Sequence, residues 1–487
     1  MNSEIKLNEE QERAAKISKG NLLILASAGT GKTTTIVERY VNLIENKNIN
    51  PKEIMITTFT NKAAKDMIKK ISQRTSKLPE YTGTMHSLFL KILRNHSKSA
   101  GLDSNFTLLT EDNDKKKIIK EILKKKEIEP TSNNIYYFLK RIAMYKNRGI
   151  HANDLSEEIN LKIQSTEPEE IDEGEFAFIS PKIKNLRNYV YKRYQEKLEE
   201  SNLLDFDDIL LYTYLLFGKN RKLREEYQKR LKFIMVDEAQ DLNLVQRNIL
   251  ELLQKNNLCL IGDDCQNIYA WRGTSNEFIF TFNNNHKKIT LKDNYRSLKN
   301  IIDNVNRIIS SLSFKVDKKL DCTRDGEGVI RIKEFYEFNE EISFIAQEVK
   351  SLIENKKNPE DIAILFRTNN IGKQIEREFR RNKIPCHLTR AKGFFDREEI
   401  KDVLSFLNLK VNPACVLEFE RLLKLVSGIG NSKIESLKEI AKKNKVDIAQ
   451  SLYHVSELNV NLRTKEKLNI LKNVLDDSNQ NPIQSFL

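Results

Sequence analysis

A glycine-rich segment with one lysine is the first part of the sequence whose residue types could do chemistry. It lies between an apolar run and an amphipathic one, and its residues are Ala26, Ser27, Ala28, Gly29, Thr30, Gly31, Lys32 and Thr33. Because the N–H groups of such a loop and of the next helix converge on phosphates, the pattern predicts a P-loop. Lys32 is expected to reach the β- and γ-phosphates, and the Thr33 hydroxyl to bind Mg²⁺. A glycine-rich turn with an unrelated lysine is the weaker alternative.

A pair of carboxylates, Asp237 and Glu238, supplies the acidic partner that a phosphate-binding loop needs. Four apolar residues, 233–236, precede the pair, which puts both carboxylates at the carboxyl end of a buried strand. Asp237 is expected to hold the Mg²⁺ ion and Glu238 to polarise the attacking water. The apolar run argues against the alternative, an acidic surface turn. Together the two motifs predict a Mg²⁺-dependent nucleotide hydrolase.

Both motifs must be held at one edge of a parallel sheet, and the sequence alternates apolar runs with helical patterns, as an α/β fold requires. Strands are predicted at 21–27, 54–59, 233–236, 258–261 and 288–291. Lysine-rich amphipathic stretches between 110 and 199 predict a helical insertion. Strands at 329–335 and 361–367 are expected to open a second α/β set, and the residues after 411 have a helical pattern.

The composition is typical of a folded protein without a membrane segment. No apolar run reaches roughly 18 residues, and the N-terminus lacks the pattern of a secretory signal, so we expect a cytoplasmic protein. The net charge of +13 fits a polyanionic partner, although solvated surface lysines explain it equally well. Five scattered cysteines without Cys-x-x-Cys spacing are expected to be reduced thiols in or near cores rather than metal ligands.

Further motifs, in order along the chain, resemble those of UvrD/Rep/PcrA-type superfamily 1 DNA helicases. The Asp-Glu-Ala-Gln-Asp segment at 237–241 is similar to motif II of that family. Similar segments are the Q motif at 7–11, motif Ia at 57–64, motif Ib at 83–87, the Leu-Asp-Phe-Asp-Asp segment at 203–208, motif III at 261–273, motif IV at 294–297 and a second-motor segment at 393–402. The resemblance covers residues 7 to about 410, and more loosely the rest of the chain.

The resemblance implies an α/β fold of two RecA-like P-loop domains with parallel sheets, ATP between them and a helical subdomain inserted in each. On this basis the first motor domain comprises residues 1–109 and 200–290, with its insertion at 110–199. The second motor domain is expected at 291–410, and the start of its insertion at 411–487.

The resemblance also implies roles for residues around the nucleotide. Gln11 would read the adenine edge, Tyr295 would pack on the adenine ring, and Gln266 would couple the γ-phosphate to the DNA site. Arg296 would act as an arginine finger from the second domain. In close relatives an arginine just after the P-loop threonine stacks on adenine, and here Thr34 takes that place, so weaker base selectivity is expected.

A single-stranded DNA path needs aromatic faces for bases and cations for phosphates. By resemblance this path would be lined by Phe59, Asn61, Lys62, His86, Tyr269, Trp271 and Arg272. Core packing is the alternative for each aromatic residue taken alone. For the lysine cluster at 115–126, a solvated helix face is favoured over contact with duplex DNA.

Two motifs of the family, V and VI, have no counterpart after residue 411. We therefore expect the chain to be a fragment or a truncated relative that binds Mg-nucleotide and, weakly, single-stranded DNA, without unwinding a 3′-tailed duplex by itself. The resemblance implies an ATP-dependent helicase of 3′-to-5′ polarity that acts on single-stranded and 3′-tailed duplex DNA in repair, recombination or replication. The alternative is a nucleotide- and DNA-binding scaffold without its own unwinding activity, and an RNA-directed enzyme is a weaker third.

Overall fold

The structure is a computed structural model that describes residues 6–155, 179–268, 274, 277–312, 315–316, 318–389 and 398–476. Contacts divide the chain into two compact units, Met1–Gly328 and Val329–Leu487. Among the described residues, no helix has both the length and the apolarity to cross a membrane.

The first unit is built on a parallel sheet of six strands, which confirms the predicted α/β class. Its strands and those of two small pairs are β1 Leu22–Ala26, β2 Ile54–Thr58, β3 Tyr81–Thr84, β4 Thr107–Leu109, β5 Leu203–Asp205, β6 Phe233–Val236, β7 Leu258–Gly262, β8 Lys287–Leu291, β9 Asp293–Asn294 and β10 Asp321–Cys322. The order across the large sheet is β3-β2-β6-β7-β1-β8. The five strands predicted for this unit are all present, each within a residue or two of its expected bounds.

Helices cover both faces of this sheet, because the central strands are apolar on both sides. In β1, Leu22, Ile24 and Ala26 belong to one hydrophobic cluster, whereas Leu23 and Leu25 belong to the other. The helices of the unit are α1 Glu9–Lys16, α2 Lys32–Val41, α3 Asn61–Ser72, α4 Met85–Asn95, α5 Asp112–Lys125, α6 Ser132–Asn147, α7 Pro181–Lys184, α8 Arg187–Glu200, α9 Phe206–Lys219, α10 Arg221–Arg230, α11 Leu244–Leu253, α12 Glu277–Asn285 and α13 Lys299–Ser311.

Helices α5 to α8 form the lysine-rich segment. Strands β4 and β5, which flank this segment in the sequence, pair with each other in parallel. A buried ionic cluster joins this segment to the start of α9. The Lys146 ammonium donates to the carboxylates of Asp205 and Asp208, each at 2.8 Å, and all three side chains are at most 4% exposed. The Tyr194 hydroxyl donates to Asp205 at 3.0 Å. The insertion is therefore tied to the motor domain by charge as well as by apolar packing.

The second unit contains α14 Phe338–Glu354, α15 Asn369–Arg381, α16 Glu398–Val411, α17 Val416–Leu425, α18 Asn431–Asn444 and α19 Leu462–Asp476. The helical prediction after 411 is confirmed as far as residue 476. The predicted strands at 329–335 and 361–367 are wrong in detail, since neither segment pairs as a strand among the described residues. Ile362, Ile364 and Phe366 nevertheless pack on the cluster formed by α14 and α15. The alternating apolar residues of 361–367 thus pack against helices. Pairing as a β-strand would need a neighbouring strand, which the described residues do not supply.

Candidate active site

The motif residues of the first unit converge because the strands that precede them are parallel. The P-loop follows β1, Phe59 follows β2, and Asp237 and Asp263 follow β6 and β7. In a parallel sheet the carboxyl ends of the strands lie at one edge, which is where α/β proteins bind ligands. Backbone bonds hold these ends together: the Asp237 N–H donates to the Thr57 carbonyl at 2.9 Å.

The P-loop owes its shape to two glycines with left-handed backbone angles. Gly29 has φ +80° and Gly31 has φ +83°, values that residues other than glycine rarely adopt. Gly31 is also the N-cap of α2, so the helix begins at Lys32 with its N–H groups facing the loop. The loop is further braced by the Thr30 hydroxyl, which donates to the Ser27 carbonyl at 2.7 Å.

Beside the loop lies a pocket of about 500 Å³. Of the residues predicted to bind the nucleotide, the following line it: Gln11, Ala28, Gly29, Gly31, Lys32, Thr33, Thr34, Glu238, Gln266, Tyr295 and Arg296. Ala26, Ser27 and Thr30 do not, because their side chains are buried beneath the loop, each at most 3% exposed. Lys6 and Lys70 also line the pocket. Sequence reasoning missed these two lysines, since neither belongs to a motif.

Lys32 and Glu238 form an ion pair across the pocket, 2.6 Å from Nζ to Oε2. Glu238 has φ +54°, which turns its side chain out of line with β6. The Gln240 amide donates to the same carboxylate oxygen at 2.8 Å. An incoming phosphate would compete with Glu238 for the Lys32 ammonium, so the pair couples phosphate binding to release of the carboxylate.

Asp237 is half-buried, like Glu238, and accepts a hydrogen bond from the Glu238 N–H at 3.0 Å. Burial, followed by the charge of Glu238, raises the pKa of Asp237 to about 6. A half-buried carboxylate beside a second carboxylate is stabilised by a cation. The Asp237 carboxylate and the Thr33 hydroxyl offer the oxygen donors that Mg²⁺ prefers. Nearby, Asp241 Oδ1 and Thr57 Oγ1 are buried without a hydrogen-bond partner. The donor set therefore fits a hydrated Mg²⁺ ion.

The Q-motif glutamine braces the P-loop. Gln11 is 4% exposed, and its Nε2 donates to the Thr30 carbonyl at 3.0 Å. Its Oε1 accepts from the Asn8 N–H at 3.1 Å, as part of a reciprocal cap of α1. Both ends of the amide are thus held, which fixes the orientation of this side chain beside the loop.

The segment after β8 is bonded directly to the P-loop. The Asn294 amide donates to the Ala28 carbonyl at 2.6 Å, and the Tyr295 N–H donates to the Gly29 carbonyl at 2.9 Å. These bonds bring Tyr295 and Arg296 to the pocket wall, and the Tyr295 side chain remains 45% exposed. The motif match at 294–297 was the signal for this segment, but the role of Asn294 as its anchor was not predicted.

Four of the residues predicted to contact DNA lie just after the neighbouring strands β2 and β3. Phe59 is 40% exposed, and Asn61 and Lys62 are exposed in the first turn of α3. His86, in the first turn of α4, lies edge-on to Phe206, with ring centroids 6.2 Å apart. Phe206 is 43% exposed and was not predicted as a DNA contact, although it belongs to the Leu-Asp-Phe-Asp-Asp segment. Tyr269, Trp271 and Arg272 lie outside the described residues.

Comparison with known families agrees with this arrangement. Residues 7–287 match the UvrD/REP helicase N-terminal domain. The chain belongs to the UvrD/REP helicase family. Residues 289–481 match the UvrD-like helicase C-terminal domain, and the two matches fit the predicted pair of RecA-like domains. The family recognised from the motifs is thereby confirmed.

Two similar proteins are named ATP-dependent DNA helicase PcrA. That of Staphylococcus epidermidis is 31% identical over 476 residues, which cover 96% of this chain and 62% of the relative. That of Staphylococcus aureus is 30% identical over 472 residues, which cover 95% of this chain and 62% of the relative. The chain therefore spans less than two thirds of the length of these relatives.

The family boundary does not coincide with the boundary between the compact units. The C-terminal family match begins at residue 289, whereas contacts assign everything up to Gly328 to the first unit. Arg296, expected as a finger from the second domain, is thus attached to the P-loop side through Asn294 and Tyr295.

Proposed function

We propose that this chain binds and hydrolyses ATP with Mg²⁺ and belongs to a motor that moves 3′-to-5′ on single-stranded DNA and opens 3′-tailed duplexes. The observation that carries the proposal is the convergence of Lys32, Glu238, Gln266 and Arg296 on one pocket beside a P-loop. Family membership and the printed names of the PcrA relatives support ATP and DNA as the ligands.

In the proposed reaction the nucleotide phosphates occupy the N-terminus of α2, where backbone N–H groups and Lys32 meet their charge. A Mg²⁺ ion, held by Thr33 and Asp237, would neutralise charge on the β- and γ-phosphates. The Lys32 ammonium leaves its ion pair with Glu238 and pairs with phosphate. Glu238 then becomes available to accept a proton from the attacking water. The Gln240 amide, 2.8 Å from Glu238, keeps that carboxylate oriented after Lys32 has left it.

Arg296 is proposed to stabilise the charge that develops on the γ-phosphate. Its backbone is fixed by two anchors, because the Asn294 side chain accepts from its N–H at 3.0 Å and the Arg324 guanidinium donates to its carbonyl at 2.5 Å. The fixed backbone keeps Arg296 at the pocket wall, close to where the charge would develop, and nearby charge is what electrostatic catalysis requires.

DNA is proposed to follow the edge formed by the ends of β2 and β3. Exposed aromatic rings at Phe59 and Phe206 offer stacking faces, and Lys62 offers a cation for a phosphate. The net charge of +13 favours association with a polyanion. Aromatic stacking does not depend on sequence, so binding without strong base preference is expected.

Steady-state ATP hydrolysis, measured with and without oligo(dT), tests the proposal. Lys32→Ala should lower turnover by orders of magnitude, because phosphoryl transfer depends on electrostatic stabilisation. Lys47→Ala is the matched control, since this lysine is exposed beyond the end of α2. Equal activity in the two variants would refute the role of Lys32. Nucleotide binding without any DNA-stimulated turnover would instead indicate a binding scaffold.

Polarity needs a separate measurement. Strand displacement is compared on duplexes of equal length that carry a 3′ or a 5′ single-stranded tail. The proposal expects displacement only from the 3′ tail. Displacement from the 5′ tail alone would contradict the proposed direction.

A further inference from the structure

A buried ammonium group lies beside the nucleotide pocket, outside the set of residues that line it. Lys318 donates hydrogen bonds to the Oδ1 atoms of both Asp263 and Asp264. The three side chains are almost completely buried, at 2%, 3% and 0% exposure respectively. A charge so far from water is retained only where it is paired and hydrogen-bonded.

The two aspartates, with Cys265, have the spacing of a cation site. Lys318 already supplies the cation, so the cluster is an internal ion network rather than a metal centre. Burial by itself would lower the pKa of Lys318, but the charges of Asp263 and Asp264 outweigh this effect and raise the pKa. Lys318 therefore keeps its charge.

Asp263 connects Lys318 to two residues of the pocket. Its Oδ2 accepts a hydrogen bond from the Gln266 amide at 2.7 Å. This bond fixes the Gln266 side chain, which lines the nucleotide pocket. Its N–H donates to Gln240 Oε1 at 3.0 Å, and the Gln240 amide in turn donates to Glu238. A displacement of Asp263 would therefore change the positions of both Gln266 and Glu238.

Lys318 is itself carried by the segment that anchors Arg296. The Val316 N–H donates to Asp264 Oδ2 at 2.6 Å, and β10 pairs with β9 just before Arg296. The cluster thus joins the end of β7 to the segment after β8.

We infer that Lys318 is a positioning residue that fixes Asp263, and through it Gln266, so that nucleotide binding is transmitted to residues 269–273, which follow Gln266 in the sequence. The inference rests on the proposed function of the pocket. Without the ammonium, two buried carboxylates repel each other and Gln266 loses a fixed acceptor.

Trp271 provides the readout, because it is the single tryptophan of the chain and lies five positions after Gln266. Its fluorescence is recorded during titration with Mg²⁺ and a non-hydrolysable ATP analogue. Lys318→Met should reduce the nucleotide-induced change by on the order of tenfold, a usual size for a lost coupling. Lys318→Arg should restore most of it. Lys319→Met is the matched control, since Lys319 is exposed and adjacent in sequence, and it should behave as wild type.

Hydrogen exchange of residues 258–268, measured without nucleotide, separates this inference from the proposed function. Lys318→Met should speed exchange there by about tenfold relative to Lys319→Met. If no nucleotide binds to wild type, the proposed function fails and the exchange comparison alone decides the inference. If Lys318→Met does not fold, Asp263→Asn, which keeps the pair of Lys318 and Asp264, should lose the fluorescence change.

Three results would overturn the inference. One is an unchanged fluorescence response in Lys318→Met or, where that variant does not fold, in Asp263→Asn. Another is bound nucleotide without any Trp271 response in wild type, because there would then be no transmission to lose. The third is equal hydrogen exchange in the Lys318→Met and Lys319→Met variants.

Discussion

Gly29→Ala should damage the P-loop through a specific collision. A Cβ atom at this position would lie 2.6 Å from Asn294 Nδ2 and 2.8 Å from Arg296 Cβ. Neither neighbour is the far end of a flexible chain: the Asn294 amide is fixed by its 2.6 Å bond to the Ala28 carbonyl, and Cβ of Arg296 moves only with its backbone. The segment at 294–296 must therefore shift away from the loop.

The expected cost has two parts. An alanine at φ +80° costs about 1–2 kcal/mol because its Cβ approaches the following carbonyl. Inserting a methyl group into a packed contact costs about 1–3 kcal/mol more. Gly101→Ala isolates the first part, since Gly101 has φ +74° and a methyl group there would meet no atom within 4 Å. Gly29→Ala should thus destabilise the first unit by about 1–3 kcal/mol more than Gly101→Ala.

Urea denaturation followed by Trp271 fluorescence measures this difference, because the single tryptophan falls within the sequence range of the first unit. Nucleotide affinity is measured on the same variants with a fluorescent ATP analogue. Gly29→Ala should weaken binding by roughly tenfold or more, because the displaced loop must be restored when phosphates bind, and about 1.4 kcal/mol of binding energy corresponds to a factor of ten. Equal midpoints and equal nucleotide affinities for the two variants would refute the packing argument.

Three further outcomes are expected. Trp271→Ala should lose roughly 1–3 kcal/mol of affinity for labelled oligo(dT) by fluorescence anisotropy, and unchanged affinity would mean that this ring stacks on no base. Lys146→Met should destabilise the first unit by about 3–5 kcal/mol, because it leaves Asp205 and Asp208 as buried carboxylates without their cation, and a loss below about 1 kcal/mol in urea would contradict this. Burial, followed by the charge of Asp205, raises the pKa of Asp208 from 3.8 to about 7, so its contribution to stability is full below pH 3.8 and is lost as the pH rises through 7. Asp208→Asn should therefore flatten the decline in stability between about pH 4 and 7, and an equally steep decline in the variant would show that another group is responsible.

The sequence allowed the interior of the fold to be predicted better than its edges. Strands β1, β2, β6 and β7 are buried along their whole length and mostly apolar, because both faces of each are covered by helices. β3 was missed, since Tyr81–Thr84 is half-buried at the edge of the sheet and contains a glycine. The strands at 329–335 and 361–367 were also predicted from apolar residues, yet Val329 is 79% and Ile332 91% exposed, and neither segment has a pairing strand among the described residues.

The candidate site was predictable where its residues form a local pattern. The positions of Lys32, Thr33, Asp237 and Glu238 are set by residues next to them in the sequence, so their spacing was enough to predict the phosphate site. Lys318 was not predictable, because its partners Asp263 and Asp264 are 55 and 54 residues away. A buried pair at that separation follows from the path of the chain around β8 and α13, which no short motif encodes.

The strand order explains how one sheet can serve two ligands. Most of the predicted nucleotide residues follow β1, β7 and β8, which are neighbours on one side of the sheet, and the predicted DNA residues that the structure describes follow β2 and β3 on the other. β6 lies between the two groups and carries Asp237 and Glu238. With about 4.8 Å between strands, the ends of β1 and β2 are roughly 14 Å apart, too far for direct contact between their side chains. An effect of phosphate on the residues after β2 and β3 that passes through the sheet must therefore cross β6, and the 2.9 Å bond from the Asp237 N–H to the Thr57 carbonyl is the step where it would reach β2.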